Sequence, residues 1–192
     1  LRNSSAASDV YKRQVVNEYL LTGTLSGDKT LDASHIWTLQ GRVIVPSGVT
    51  LTIPAGTIIK ATAGTGANAS SLVVARGGML MAEGTASSPI IMTSQSDDIA
   101  VGQTAGSSLT ENVRGLWGGL LVLGNAPCSF SGDVAELQIE GIPASETAGL
   151  YGGTDAADNS GVIQYVSIRH GGAEIGEGNE INGLTLGGVG TG

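Results

Sequence analysis

The sequence predicts an all-β solenoid, in which short strands stack on one another as successive coils. Three observations support this fold class. Short apolar runs recur along the chain and are separated by corners that contain Gly and Pro. The 192 residues include 31 Gly, about twice the ordinary share of ~7%. No long window has the 3.6-residue apolar period of an amphipathic helix.

The clearest coil lies between Val43 and Ala61, where Pro-Ser-Gly and Pro-Ala-Gly separate three β-like runs. The middle run, Val49–Ile53, alternates, so that its Val, Leu and Ile share one face and its two Thr share the other. Each spacer combines a Pro, which fixes φ, with a Gly, which tolerates positive φ. Neither spacer has the Asn-Gly or Asp-Gly order of a tight hairpin. We therefore expect corners rather than reversals, and the three runs become three sides of one coil.

The same pattern continues in chain order and predicts coils of ~20 residues, a length typical of solenoids. The runs assigned to a second coil are Leu72–Ala75, Met79–Ala82 and Ile90–Thr93. Those assigned to a third coil are Leu116–Leu123, Val134–Ile139 and Val162–Ile168, and Leu184–Val189 begins a fourth. The polar, Gly-rich segments Ser94–Arg114 and Gly141–Ser160 are expected to be long insertions.

The ends of the chain differ from the coils. Residues 1–14, LRNSSAASDVYKRQ, have no apolar period and are similar to a translated adaptor sequence, so we exclude them from the fold. Residues 15–40 are expected to form an N-terminal capping segment, with Trp37 over the open end of the core. Residues 41–192 contain the coils, which we expect to be incomplete at the C-terminal end. A cut end exposes an apolar face, so we also expect end-to-end self-association.

The composition argues against several functional classes. The net charge is −8 and the pI is ≈ 4.5, which disfavours nucleic acid as a partner because Lys and Arg neutralise its phosphates. No run approaches the ~20 apolar residues of a membrane-spanning helix. The single cysteine, Cys128, excludes an internal disulfide and a Cys-based zinc site, and we expect it to be a small buried residue.

A set of short motifs carries a family resemblance. They are Gly41–Val45, Leu51–Ile53 with Gly56–Lys60, Leu72–Gly78, Glu83–Thr85, Trp117–Gly119 and Glu180–Gly188. From about Thr24 to Gly192 the chain resembles a family of bacterial secreted or surface proteins known mainly as hypothetical proteins or lipoproteins. The resemblance implies a right-handed single-stranded parallel β-helix with three sheets, a pectin-lyase-like solenoid. It also implies an extracellular or cell-surface location, with any signal peptide outside this sequence, and it supplies no catalytic residues.

Acidic residues near the end of the chain are candidate ligands for calcium. They are Asp155, Asp158 and Asn159 in one Gly-rich loop, and Glu174, Glu177 and Glu180 in the next. If Val162–Ile168 is one strand, the two loops flank it and can approach each other. Oxygen ligands on flexible loops suit Ca²⁺, although the spacing matches neither an EF-hand loop nor the Gly-rich nonapeptide repeat. The alternative is a pair of solvated acidic loops, and the fold requires no cofactor.

The same region contains the candidates for carbohydrate chemistry, because Arg169 and His170 lie between Asp158 and Glu174. A glycosidase needs two carboxyl groups. A lyase needs a base, a role that Arg or Lys can fill on the resembled fold, with calcium holding the uronate. A guanidinium is a poor base, so the imidazole of His170 is the better candidate. In the alternative, Arg169 pairs with a loop carboxylate and His170 occupies a strand end.

Two functions remain open. The leading hypothesis is a non-catalytic secreted or cell-surface structural or adhesion module that contacts glycans or other envelope components. The alternative is a polysaccharide lyase or glycoside hydrolase that acts on acidic polysaccharide. An enzyme should present converging acidic and basic side chains on one parallel sheet, whereas a structural module should not. Trp117 is ambiguous in the same way, since it either stacks on sugar or anchors the core.

Overall fold

The computed structural model describes residues 18–64, 66–132, 134–176 and 179–192. Regular structure here is β except for two 3-10 turns, Gly66–Asn68 and Thr147–Gly149, and no helix among these residues is long and apolar enough to cross a membrane. The strands are β1 (Leu20–Thr24), β2 (Lys29–Thr30), β3 (Ile36–Val45), β4 (Thr50–Pro54), β5 (Ile58–Ala61), β6 (Ser71–Val74), β7 (Met79–Glu83), β8 (Ile90–Ser94), β9 (Leu120–Leu123), β10 (Leu137–Gln138), β11 (Leu150–Tyr151), β12 (Gly161–Gln164), β13 (Val166–Ile168), β14 (Glu174–Gly176), β15 (Asn179–Glu180) and β16 (Leu184–Gly187).

Three parallel sheets form the sides of a tube. Side 1 contains the first half of β3 with β5, β8 and β13. Side 2 contains the second half of β3 with β6, β9 and β16. Side 3 contains β2, β4, β7 and β12. Each full coil visits the sides in the same order, as β5, β6 and β7 do, so the predicted three-sheet parallel β-helix is confirmed.

β3 turns the corner between sides 1 and 2 without interruption. Its residues Ile36–Leu39 pair with β5, and its residues Arg42–Val45 pair with β6. Gly41 lies between the two halves at a φ of 64°, where a side chain would be strained. β1 pairs with both halves of β3 from the opposite edge, so β1 and β2 form a partial coil of their own. The predicted boundary between the capping segment 15–40 and the coils lies inside β3.

The corners between sides 2 and 3 are tight turns of the kind that the Pro-Ser-Gly spacer predicts. The amide of Val49 donates to the carbonyl of Pro46 over 3.1 Å, and Gly48 between them has a φ of 77°. A positive φ at the third turn position defines a type II turn, which favours Gly there. In the next coil Gly77 has a φ of 76°, and its carbonyl accepts from the amide of Gly48 over 2.8 Å. The corners therefore stack like the strands.

Inward side chains stack in columns along the tube, because parallel strands in register place equivalent residues above one another. On side 2 one column contains Val43, Leu72 and Leu120, each 0% exposed. These columns belong to a single apolar cluster that contains residues of all three sides. At the C-terminal end the columns finish at exposed residues: Ile163 is 38%, Leu184 44% and Leu186 54% exposed. End-to-end association through this face stays a prediction.

The outward faces of the three sides differ. On side 3 the strands alternate, so that Leu51, Ile53 and Leu80 are buried while their outward neighbours are partly exposed. On sides 1 and 2 all residues of β6, β8 and β9 are buried. A strand that is buried on both faces requires a cover outside the tube.

Two insertions provide those covers. The insertion between β8 and β9 covers side 1, where Ile99 packs on Ile58 and Ile91. The insertion between β9 and β12 covers side 2, where Ile142 packs on Val73, Leu121 and Leu123. Side 3 has no comparable apolar cluster on its outer face among the described residues.

The third coil differs from its prediction at two points. Val134–Ile139 was expected to be a tube strand, but its β10 pairs antiparallel with β11 inside the side-2 insertion. That insertion therefore follows β9 directly, rather than starting at Gly141. Val162–Ile168 is two strands, β12 on side 3 and β13 on side 1, because Tyr165 turns the corner at a φ of 49°. This corner has neither Gly nor Pro, and it could not be read from the sequence.

Candidate functional site

A cleft of ≈ 450 Å³, here called the side-1 cleft, lies between the end of β13 and the insertion that covers side 1. Its charged and titratable lining residues are Asp97, Glu111, Arg114, Arg169 and His170. Its apolar walls include Leu109, Val113 and Ile168. Two of the residues predicted from the sequence, Arg169 and His170, are therefore in one site. Glu111, Arg114 and Asp97 were missed, because they precede the third coil and carry no motif.

Backbone pairing brings the insertion to the end of β13. The amide of Gly115 donates to the carbonyl of Gly171 over 2.8 Å, and the amide of Leu116 donates to the carbonyl of His170 over 2.9 Å. Arg169 continues the strand pairing of side 1, since its amide donates to the carbonyl of Met92. Arg114 is thereby held beside Arg169 and His170, more than 50 residues later in the chain.

The guanidinium of Arg169 is fixed by two hydrogen bonds. Its Nε donates to Ser167 Oγ over 2.9 Å, and its Nη2 donates to the carbonyl of Thr104 over 2.7 Å. The expectation that Arg169 pairs with a loop carboxylate is corrected accordingly, because the acceptor in the loop is a carbonyl. Trp117 supports the same residue: its Nε1 donates to the carbonyl of Arg169 over 2.7 Å, and its side chain is buried. Trp117 is thus a core anchor rather than a sugar-stacking platform.

His170 has an unusual backbone and a defined tautomer. Its φ is 57°, a region that residues other than Gly seldom occupy. Its Nδ1 lies 2.7 Å from the carbonyl of Val113. Because a carbonyl only accepts, Nδ1 carries the proton, and in the neutral ring Nε2 remains as an acceptor. His170 therefore anchors the insertion to the end of β13 through Nδ1.

Two aspartates at the start of the side-1 insertion organise the loop. Asp97 is buried, and its carboxylate accepts from Thr93 Oγ1 over 2.8 Å and from the amide of Ile99 over 3.0 Å. Asp98 accepts from Ser107 Oγ over 2.7 Å and from the amides of Ser107 and Ser108. The hydroxyl of Ser107 and these amides lower the pKa of Asp98 to about 2. Both carboxylates are thus committed to holding the loop.

The first group of predicted acids lies at another corner of the tube. Asp158 is buried, and its carboxylate accepts from Asn125 Nδ2 and from Ser160 Oγ, both over 3.1 Å. Asp155 accepts from the amide of Ala157 over 3.0 Å, and Asn159 accepts from the amide of Gly161 over 2.8 Å. These bonds shape the loop that leads into β12, and none of the three residues lines the side-1 cleft.

The second group of acids lies between β13 and β16. Glu174 pairs with Glu180 in the antiparallel ladder of β14 and β15, and the amide of Glu180 donates to Glu140 Oε1 over 3.3 Å. Glu177 lies outside the described residues. Within the described ranges no three His, Cys, Asp or Glu residues are grouped so that they could hold a metal ion. The calcium site built from Asp155, Asp158, Glu174, Glu177 and Glu180 stays a prediction.

Side 2 carries a second groove, of ≈ 530 Å³, between the sheet and its insertion. Two ion pairs border this groove, Arg42 with Glu146 and Arg76 with Glu136. Arg76 also donates to the carbonyl of Gly152 over 2.9 Å. Both arginines therefore hold the cover on side 2. Cys128, which was expected to be buried, is half-buried in the same insertion, with its Sγ 3.6 Å from the carbonyl of Ala126.

The geometry of the tube agrees with the comparison against known families. A model of the pectate-lyase-like β-helix domain matches residues 23–192. The chain belongs to the pectate-lyase-like β-helix family. The match covers β2, the later coils and both insertions of this β-helix protein, and it begins near the end of β1. Comparison with curated proteins and with solved structures gave no significant match.

Proposed function

We propose that this β-helix protein is a non-catalytic structural or adhesion module, and that it contacts glycans. The observation that carries the proposal concerns the predicted catalytic groups. Arg169 and His170 are hydrogen-bonded to the carbonyls of Thr104 and Val113 and so fasten the insertion to the tube. Asp158 and Glu174 do not line the side-1 cleft, which contains Arg169 and His170. An arrangement of this kind favours binding and scaffolding over acid–base chemistry.

The contact surface that we propose is the outer face of side 3. There Thr50, Thr52, Met79 and Met81 are partly exposed on adjacent strands, and Gln164 is exposed on β12 in a neighbouring row, opposite Glu83. Hydroxyl, amide and thioether groups at a strand spacing of roughly 4.8 Å offer a flat surface with both hydrogen-bonding and apolar character. A glycan presents the same two kinds of surface.

We also propose an extracellular or cell-surface location. A tube whose single core contains residues of all three sides does not depend on disulfides for its stability, so the presence of one cysteine is compatible with export. Protease treatment of intact source cells tests the location. Degradation of the protein by protease added to intact cells supports this location. Full protection of the protein until the cells are lysed overturns it.

The functional proposal is tested by measuring turnover and binding together. We expect no unsaturated product by ultraviolet absorbance, and no new reducing ends, when the protein is incubated with acidic polysaccharides, with or without calcium. We expect retention on an immobilised glycan, lost in Met81→Glu and kept in Val101→Glu, a control at an exposed residue outside side 3. Turnover that disappears in His170→Ala would overturn the proposal in favour of a lyase or hydrolase.

A further inference from the structure

We infer that the side-1 cleft is a binding site for the carboxylate of a small polar ligand, held by Arg114 and Arg169. This inference goes beyond the proposed function, since it does not depend on the outer face of side 3. It begins with the distribution of positive charge in an acidic protein. The described chain has few Lys and Arg residues, and most of them are engaged elsewhere.

Each described Lys and Arg residue outside the cleft has a partner. Arg42 and Arg76 form ion pairs with Glu146 and Glu136. The remaining two are Lys60, whose Nζ donates to the carbonyl of Asp97, and Lys29, whose Nζ lies 5.0 Å from the centroid of the Trp37 ring. In contrast, neither Arg114 nor Arg169 forms an ion pair with a described residue. Among the described arginines, the two without a carboxylate partner therefore line the same cleft.

Arg169 is preorganised for such a ligand. A guanidinium carries five N–H donors in a rigid plane. The protein accepts from Nε and from one N–H of Nη2, which leaves Nη1 free of described acceptors. Because the plane is fixed by Ser167 and Thr104, little side-chain entropy is lost when a carboxylate binds. Arg–carboxylate hydrogen bonds are among the stronger ones in proteins, particularly where two form in parallel.

Arg114 supplies the second positive charge that lines the cleft. Its position is set by the backbone bonds of Gly115 and Leu116 to the end of β13, while its side chain is exposed and makes no hydrogen bond to a described residue. Apolar walls at Leu109 and Ile168 lower the local dielectric constant, so a bound carboxylate is attracted more strongly than on an open surface.

Two acidic residues also line the cleft, and they differ in their effect. The carboxylate of Asp97 is buried and accepts from Thr93 and Ile99, so both of its oxygens are already occupied inside the loop. Glu111 is exposed and has no described hydrogen-bond partner. Its negative charge should weaken the binding of an anion. This gives the site a residue whose neutralisation is expected to improve affinity.

The size of the cleft and its mixed lining limit the ligand class. A volume of ≈ 450 Å³ exceeds that of a single inorganic ion and falls within the range of small-molecule pockets, about 300–1,000 Å³. We therefore assign a carboxylate carried on a small polar molecule. An acidic sugar and an aliphatic dicarboxylate share this chemistry, and they are distinguished below.

Isothermal titration of the whole chain with glucuronate, glucose and succinate tests the inference. Glucuronate and glucose differ in the carboxylate, so we expect glucuronate to bind and glucose to give no heat above dilution. Succinate binding with similar affinity would support recognition of the carboxylate alone. Weaker or absent succinate binding alongside glucuronate binding would support the site and add contacts to the sugar ring. Binding should weaken as salt is added.

Variants locate the binding in the cleft. Arg114→Gln should reduce affinity for glucuronate about tenfold or more, as expected for loss of a charged hydrogen bond. Because the side chain of Arg114 is exposed, this substitution should leave the fold intact. Arg76→Gln, which removes the same charge outside the cleft, should leave affinity unchanged. Glu111→Gln should increase it. Equal binding of glucose and glucuronate, or unchanged affinity in Arg114→Gln, would overturn the inference while leaving the proposed function intact. Turnover of polysaccharide would overturn the proposed function but not the carboxylate site.

Discussion

Sides 2 and 3 of the tube both have a buried, apolar inner face, but their outer faces differ in exposure to solvent. Inside, Leu120 on side 2 and Leu80 on side 3 belong to one core and are both buried. Outside, Leu121 is 0% exposed beneath the insertion, whereas Met81 is partly open to solvent. The difference is visible in the chain, because β9 reads L-L-V-L and β7 reads M-L-M-A-E. A continuous apolar run thus marks a covered side, and alternation marks an open one.

The largest effect that we expect comes from shortening neighbouring side chains on the two sides. Leu120→Ala and Leu121→Ala should each lower the free energy of unfolding by about 2–5 kcal/mol, since both side chains are buried in a packed cluster. On side 3, Leu80→Ala should cost a similar amount, but Met81→Ala should cost about 1 kcal/mol or less. Urea denaturation of the four variants measures this. A Leu121→Ala variant as stable as Met81→Ala would show that the insertion does not cover side 2.

A smaller effect should appear at low pH, in the cover over side 1. Hydrogen bonds from Ser107 and Ser108 lower the pKa of Asp98 from 3.8 to about 2. Because the pKa is lower in the folded state, the carboxylate stabilises the fold above pH ~4. This contribution is lost as pH falls through the interval between the two values.

Asp98→Asn should flatten the dependence of the urea midpoint on pH between about 4 and 2 relative to the parent protein. Glu111→Gln is the matched control, because it removes an acid from the same insertion without removing a described hydrogen bond. The account of the loop fails if Asp98→Asn and Glu111→Gln change the pH profile equally.

The smallest effect on stability is expected from added calcium, whose candidate ligands lie in loops at the corners of the tube rather than on its sides. Asp158 is already satisfied by Asn125 and Ser160, and Glu174 and Glu180 lie in a separate ladder. We therefore expect millimolar calcium to raise Tm by no more than about 2 °C, which corresponds to weak binding or none. A rise above roughly 5 °C that is reversed by chelator and absent in Asp158→Asn would instead support the predicted metal site.

Most of the tube could be predicted from local sequence, and the exceptions have identifiable causes. Pro46, Gly48 and Gly77 marked corners because their backbone preferences act within one turn. Tyr165 turns a corner with no such residue, so β12 and β13 were read as one strand. Val134–Ile139 alternates like a tube strand but lies in the insertion, since alternation signals a half-buried strand wherever that strand packs.

The candidate site was predictable in part. Arg169 and His170 stood out beside a strand among few cations, and the structure places both in the side-1 cleft. The expected grouping of Asp158 and Glu174 around them depended on a single strand that proved to be two. Arg114 and Glu111 could not have been assigned, because nothing near them in the sequence indicates that they meet a segment more than 50 residues away.

Local sequence was enough to assign the inward-facing residues of most tube strands and the corners that contain Gly or Pro, because alternation and turn chemistry are encoded within a few neighbouring residues. Tertiary packing set which insertion covers which side and which charged groups meet in the side-1 cleft. Those outcomes depend on packing between segments that are distant in the chain, and such contacts leave no periodic signal in the sequence.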